Sequence, residues 1–87
     1  PVTLWIRLPD APHVAAALDG RVVPLANLVP SATLGSVRDR VQVKLLGRAV
    51  GASKLKMWIA GKPATLRQTL AAWNLSDGDA VEFSLGK

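Results

Sequence analysis

A single helical stripe of apolar residues, set between segments of strand periodicity, limits this chain to very few folds. With spacings of three, four and four residues, the members of the stripe share one helix face: Leu34, Val37, Val41 and Leu45. Thr33 stands just before the stripe, where a threonine side chain can cap the first turn. Val43 lies roughly opposite the stripe, so it is either exposed or marks an early helix end. One helix with one apolar face needs one apolar sheet surface to cover.

The rest of the chain supplies that surface as segments that alternate between apolar and polar residues. This alternation, typical of half-buried strands, occurs over residues 2–8, 54–59 and 81–85. Asp19-Gly20 predicts a hairpin turn, and a further strand is expected within residues 21–29. Because Pro24 cannot donate to a strand ladder, this strand should lie at a sheet edge or contain a bulge. A short helical turn is predicted over residues 69–75, and the predicted fold class is α+β.

Length and composition fit one domain. Of the 87 residues, 49% are hydrophobic, which is enough for a single core over residues 1–87. No apolar run approaches the roughly 18 residues that a membrane-spanning helix needs, so no membrane contact is expected. The absence of Cys excludes disulfides and thiolate chemistry. Because the chain begins at Pro1 and ends inside patterned sequence, we expect it to be excised from a larger protein.

The positive charge is concentrated in one part of the chain. Lys and Arg number 11 against 6 Asp and Glu, and residues 38–67 hold eight of these cations with Asp39 as the one carboxylate. A localised basic patch is typical of a protein that binds a polyanion. A solvated basic surface without a ligand explains the charge equally well. Charge alone therefore leaves both interpretations open.

Three segments resemble ubiquitin. Ile-Ala-Gly-Lys at residues 59–62 resembles the stretch that closes ubiquitin's third strand, and residues 69–75 resemble its Thr-Leu-x-x-Tyr-Asn-Ile turn at the same spacing. Pro-Ser-Ala-Thr-Leu at residues 30–34 is similar to the opening of ubiquitin's helix. The resemblance covers about the whole chain and implies a ubiquitin-like β-grasp fold, with one helix packed across a mixed sheet of four to five strands. Trp73 takes the place of ubiquitin's turn tyrosine, so it is predicted to pack.

Within ubiquitin-like domains, the chain resembles the C-terminal one of the largest subunit of splicing factor 3a. The matching segments are Leu-Pro-Asp at residues 8–10, Leu-Asp-Gly-Arg-Val at residues 18–22 and Lys-Leu-Lys-Met at residues 54–57. The resemblance implies a nuclear pre-mRNA splicing factor of the U2 particle, whose ubiquitin-like domain binds a stem-loop of U1 small nuclear RNA. It also implies that other spliceosomal proteins contact the rest of the parent chain.

The chain departs from that family in two places. The family continues into an Arg-Gly-Gly-Arg-Lys-Lys type of tail, whereas this sequence stops at Lys87. The family also has an aromatic residue where Pro63 stands here, and a basic residue where Thr65 stands. Of the family's contacts on this strand and the turn after it, only Lys54 and Lys56 carry over.

On a β-grasp fold, the outward residues of the first, third and last strands share one exposed face. Lysines on this face can neutralise phosphates, while a tryptophan can stack on an unpaired base. Packing under a loop or over a sheet edge is the alternative role for Trp5 and Trp58. The predicted RNA-binding residues are Lys54, Lys56, Trp58, Lys62, Arg38, Arg40, Arg48, Arg67, Trp5 and Arg7.

Other functions find less support in the sequence. A protein-interaction module that docks a splicing or ubiquitin-pathway partner on the same face is the main alternative, although Trp58, Glu82 and Ser84 replace ubiquitin's small aliphatic patch. The lone His13 lies in a predicted loop, and Asp77 and Asp79 suit a turn. We therefore expect a monomeric domain without enzyme activity, metal or cofactor.

Overall fold

The alternating segments of the sequence form one mixed sheet of five strands. A computed structural model describes residues 1–47 and 50–86. The strands are β1 (Val2–Arg7), β2 (Val22–Leu28), β3 (Leu55–Ile59), β4 (Lys62–Pro63) and β5 (Ala80–Leu85). Their order across the sheet is β2-β1-β5-β3-β4, with β1 and β5 parallel and the other pairs antiparallel. The predicted α+β class and the ubiquitin-like β-grasp arrangement are confirmed.

Strand β2 is an edge strand that also carries an irregularity, so both features allowed by Pro24 are present. It pairs only with β1, and the register shifts between the Val2 and Leu4 pairings. Asn27 takes a left-handed backbone conformation with φ of 62° near this shift. Gly20 precedes the strand with φ of 77°, a conformation that a glycine adopts without strain. The predicted turn thus leads directly into β2.

Helix α1 (Leu34–Val41) packs across one face of the sheet. Thr33 caps it as predicted, because its side chain accepts a hydrogen bond from the Ser36 N–H at 3.2 Å. The helix continues as a π-helical segment, Gln42–Leu46. The wider π turn leaves Val43 70% exposed and buries Leu46, while Leu45 of the predicted stripe is only half-buried.

The core lies between α1 and the inner face of the sheet. Alternate residues of β1, β3 and β5 point into it, and no polar or charged residue of the described part of the chain is buried. Its largest fully buried side chains are Phe83, Leu4, Ile6, Leu18, Leu34 and Leu70. Across residues 1–47 and 50–86, no helix combines the length and apolar character that crossing a membrane requires. Helix α1 covers only the inner face of the sheet, so the outward residues of β1, β3 and β5 are exposed or half-buried.

Candidate nucleic-acid interface

The open face of the sheet brings basic, acidic and aromatic side chains into one row. Arg7 of β1 is paired with Glu82 of β5, which is paired with Trp58 of β3, and Trp58 is paired with Pro63 of β4. Trp5 lies on the same face and is 44% exposed. Glu82 stands between the β1 residues and Trp58, so a carboxylate divides the predicted surface into two parts.

Trp58 is held on this face by a side-chain hydrogen bond. Its indole Nε1–H donates a hydrogen bond to the Ser84 hydroxyl oxygen at 2.8 Å, which ties β3 to β5 through side chains. The residue is half-buried, so part of the indole surface is available to a ligand. It lines two separate grooves, one toward the β3 edge of the sheet and one toward the turns at the end of the sheet. The tryptophan is thus both a packed residue and an exposed wall.

The first groove, here called the edge groove, lies beside β3 where the short strand β4 ends. It has a volume of about 530 Å³, and its lining includes Arg38, Lys56, Trp58, Pro63 and Gly86. Among the described residues, no carboxylate lines it. Strand β4 pairs only with the last two residues of β3, so the rest of that strand edge faces the groove without a strand partner in the described chain. The edge groove is therefore cationic and open.

Arg38 reaches the edge groove from helix α1, on the far side of the sheet edge. Its side chain is 23% exposed and one guanidinium nitrogen lies 3.4 Å from the Asp39 carboxylate. The Nε atom is buried and has no hydrogen-bond partner within residues 1–47 and 50–86. The fold thus brings a helix cation and the β3 cation Lys56 to the same groove, although 18 positions separate them in the sequence.

Three further predicted cations are immediate sequence neighbours of residues that line the edge groove. Lys54 is exposed in the helical turn just before β3, and its carbonyl accepts a hydrogen bond from the Gly86 N–H. Lys62 is exposed on β4, after the Ala60-Gly61 turn. Arg67 is exposed in the turn that follows β4. No carboxylate of the described residues lies within ion-pair distance of any of the three.

The remaining predicted residues lie elsewhere. The Arg40 guanidinium donates a hydrogen bond to the Ala26 carbonyl at 3.1 Å, which holds it at the β2 edge, opposite to the edge groove. Trp5 and Arg7 lie beyond Glu82 on the open face. Arg48 lies outside the described residues. The structure thus gathers five of the ten predicted cations and aromatic residues close to β3, together with Arg67 in the turn beyond it.

A second groove, here called the turn groove, lies on the other side of Trp58. It has a volume of about 700 Å³ and is lined by Trp58, Trp73, Arg7, Asp79 and Glu82 among others. Trp73 also packs against the core, as predicted from the turn motif. Sequence reasoning assigned Asp79 to turn chemistry and Trp73 to packing, so it did not find this groove. The signal in the sequence that could have indicated the turn groove is the spacing of Trp58 and Trp73 relative to the last strand.

Arg21, a cation outside the predicted RNA-binding set, is paired with a carboxylate. Its guanidinium forms two side-chain hydrogen bonds with the Asp19 carboxylate, at 2.9 and 2.8 Å. These bonds lower the pKa of Asp19 to about 2, against an ordinary 3.8. The pair lies at the start of β2, beside a third groove of about 490 Å³ that Asp10, Asp19 and Glu82 line. Unlike the edge groove, this region carries carboxylates.

Within residues 1–47 and 50–86, no three His, Asp or Glu side chains lie close enough together to hold a metal ion. His13 is exposed in a loop. Asp77 accepts a hydrogen bond from the Thr3 N–H at 2.7 Å, and Asp79 accepts one from the Ser76 N–H at 2.8 Å. Both carboxylates thus hold the turn that leads into β5.

Comparisons with known proteins support the fold and nothing finer. No family model matches the chain, and no curated protein sequence matches it. Among solved structures, a ubiquitin from Caldiarchaeum subterraneum is similar, with a TM-score of 0.76 and 20% sequence identity. The match covers 99% of this chain and 94% of that ubiquitin. At this identity the likeness establishes a ubiquitin-like β-grasp fold.

Proposed function

We propose that this chain is a non-catalytic RNA-binding ubiquitin-like domain of a pre-mRNA splicing factor. Its ligand is a small nuclear RNA stem-loop. In the splicing factor 3a family, which the sequence resembles, this RNA is U1. The domain acts as a monomer in the nucleus, without a cofactor or a membrane. Other spliceosomal proteins contact the rest of the parent chain.

The observation that carries this proposal is the edge groove, where the described lining residues include cations and no carboxylate. Lys56 and Arg38 line it, and Lys54 and Lys62 flank it without ion-pair partners in the described chain. Unpaired lysines that surround a groove can each release a counterion from an RNA phosphate, and that release drives polyanion binding. A peptide ligand would need several carboxylates to use the same cations.

Trp58 favours a stem-loop over a simple duplex. Its indole is held by Ser84, so little conformational entropy is lost when a base stacks on the exposed part of the ring. Stacking of an unpaired base on an aromatic side chain contributes roughly 1–3 kcal/mol. A hairpin offers unpaired loop bases beside closely spaced phosphates, whereas a duplex offers only phosphates. The groove therefore suits the junction between a stem and its loop.

The proposal is tested by the salt dependence of RNA binding. Fluorescence anisotropy measures the affinity for a labelled RNA hairpin between low and physiological salt, for the parent domain and for Lys54→Ala with Lys56→Ala. The slope of log affinity against log salt is negative, and the loss of two phosphate contacts should reduce its magnitude by about 1.4 to 1.8. The same duplex without a loop should bind more weakly than the hairpin.

A matched control removes two cations elsewhere, through Lys44→Ala with Arg21→Ala. Lys44 lies exposed on the π-helical segment, and Arg21 is paired with Asp19. This double variant should keep the parent slope. If both double variants lose affinity equally, binding depends on net charge and the edge groove is not the site. Absence of hairpin binding at low salt contradicts the proposed function altogether.

A further inference from the structure

The turn groove has a chemistry opposite to that of the edge groove. Two carboxylates, those of Asp79 and Glu82, line it against the single cation Arg7. Its aromatic walls are Trp58 and Trp73, and at about 700 Å³ it has the size of a small-ligand site. In a chain with a formal net charge of +5, this is a local excess of negative charge. An RNA phosphate is repelled here.

Both tryptophans have their polar atoms occupied within the molecule. The Trp58 indole N–H donates to Ser84, and the Trp73 indole N–H donates to the Gln68 side-chain oxygen. Neither indole therefore has a free donor to offer a ligand. What remains is the aromatic ring surface, which attracts cations through its quadrupole. Because the hydrogen bonds restrain both rings, the groove is formed before a ligand arrives.

The two carboxylates differ in how far they are free to meet a ligand. Asp79 accepts a hydrogen bond from the Ser76 N–H at 2.8 Å and is half-buried, so it is fixed in the turn. Glu82 is exposed, and no cation of residues 1–47 and 50–86 lies within ion-pair distance of its carboxylate. Its cross-strand neighbours are Arg7 and Trp58. Glu82 is thus a free anion beside a fixed aromatic wall.

We propose that the turn groove binds an arginine side chain of a protein partner. The apolar stem and planar guanidinium of arginine can lie along an indole, while the charged head meets the Glu82 carboxylate. Arginine suits this combination better than lysine, because a planar guanidinium both stacks on an aromatic face and bridges a carboxylate through two hydrogen bonds. The site shares only Trp58 with the edge groove, so it does not depend on RNA binding.

The three tryptophans give a direct test by NMR, because each indole N–H has its own resonance. The domain is titrated with acetyl-Gly-Arg-Gly-amide and, separately, with the same peptide carrying citrulline, which keeps the shape of arginine and removes its charge. We expect the Trp58 and Trp73 indole signals to shift with the arginine peptide at millimolar concentration. The Trp5 signal should stay in place, and the citrulline peptide should shift none of the three.

Substitutions in the groove should act in opposite directions. Glu82→Gln removes the free carboxylate and should weaken arginine binding at least threefold, whereas Arg7→Gln removes the competing cation and should strengthen it. Lys44→Gln, a charge change outside the groove, serves as the control and should leave the titration unchanged. Equal shifts with arginine and citrulline, or an unchanged titration in Glu82→Gln, would overturn the proposal. Neither result would bear on RNA binding at the edge groove, which is measured separately.

Discussion

The edge groove and the turn groove share the indole of Trp58 as a wall but differ in charge. Among the described residues, Arg38 and Lys56 line the edge groove without a carboxylate, whereas Asp79 and Glu82 outnumber Arg7 in the turn groove. Strand residues contribute to both grooves: Lys56 of β3 lines the edge groove, and Arg7 and Glu82 line the turn groove. Helix α1 adds the cation Arg38 to the edge groove, and the turn before β5 adds Asp79 to the turn groove. On this fold, the strands and the elements that border the sheet together set which charge a groove can bind.

The two grooves are also close enough to influence each other electrostatically. At physiological salt the screening length is about 8 Å, which is somewhat less than two spacings of about 4.8 Å between neighbouring strands. Glu82 on β5 is the direct cross-strand neighbour of Trp58, the wall that the two grooves share. Lower salt should strengthen its repulsion of RNA and its attraction of arginine together. Substitutions at the shared wall and at Glu82 can therefore test whether the grooves are distinct sites.

The largest expected effect comes from Trp58→Ala, because it removes the wall that both grooves use. Loss of base stacking should lower hairpin affinity by about 5- to 160-fold, which corresponds to roughly 1–3 kcal/mol. The arginine peptide should lose its effect on the Trp73 signal. The two measurements are RNA anisotropy and the NMR titration. A variant that loses one ligand and keeps the other would show that Trp58 serves a single groove.

Trp5→Ala is the matched control for this substitution. Trp5 is 44% exposed on the same sheet face, yet it lines neither groove. Hairpin affinity should change less than twofold. A larger loss would extend the RNA contact across Glu82 to β1, as the sequence alone had suggested.

The next largest effect comes from charge reversal in Glu82→Lys. One added phosphate contact should steepen the slope of log affinity against log salt by about 0.7 to 0.9. The same change should abolish arginine binding, so the two ligands respond in opposite directions. Because position 82 is exposed on the sheet face, the fold should tolerate lysine there, apart from mild repulsion with Arg7. If the affinities for RNA and for arginine both rise or both fall, the two grooves act as a single site.

Much of the fold could be predicted from periodicity because burial follows it closely. Val2, Leu4 and Ile6 are buried on one side of β1, as the alternation requires. The predicted apolar helix face was wrong only at its end, where Leu46 is buried and Leu45 is half-buried. The cause is the π-helical segment, whose wider turn rotates the later residues relative to a regular helix. Periodicity assumes a constant turn, so it cannot locate such a change.

The candidate site was less predictable because it depends on which elements the fold brings together. Strand alternation placed Lys56 and Trp58 on the open face, and the register confirms that they share it with Ser84. Arg38 and Arg40 looked alike in sequence, yet two helix positions place one at the edge groove and the other at the β2 edge. The turn groove needed contacts across 15 positions between Trp58 and Trp73, which no short motif encodes.

A smaller effect is expected from Gly86→Ala. A Cβ atom at this position would lie 2.8 Å from the Lys56 Cε atom, so the lysine side chain must move away. Because that atom is the far end of a flexible side chain, the fold should persist, with a melting temperature within about 2 °C of the parent. Hairpin affinity should fall about two- to threefold, in line with a displaced phosphate contact. Anisotropy and thermal unfolding measure the two quantities.

The arginine titration should not change in Gly86→Ala, because Gly86 and Lys56 line only the edge groove of the two. An unchanged hairpin affinity would mean that Lys56 contacts RNA from more than one rotamer. In that case, packing of the Lys56 side chain against Gly86 is not needed to position the lysine for RNA binding.

The smallest effect is expected from Arg21→Gln, which asks whether a paired cation contributes to either groove. Arg21 donates to the Asp19 carboxylate and holds the pKa of Asp19 at about 2, so loss of Arg21 should raise that pKa toward 3.8. A lowered carboxyl pKa stabilises the fold above pH 3.8, and this contribution is lost as pH falls through 2. Both side chains are largely exposed, so stability near neutral pH should hardly change.

For this variant, an NMR titration of the Asp19 carboxyl follows the pKa, and anisotropy follows the hairpin. Affinity at physiological salt should stay within twofold of the parent, because the charge of Arg21 is already neutralised by its partner. Lys54→Ala alone removes the same formal charge from beside the edge groove and should weaken binding more. Equal losses in the two variants would mean that RNA responds to the summed charge of the domain, and the distinction between the grooves would then have no bearing on RNA.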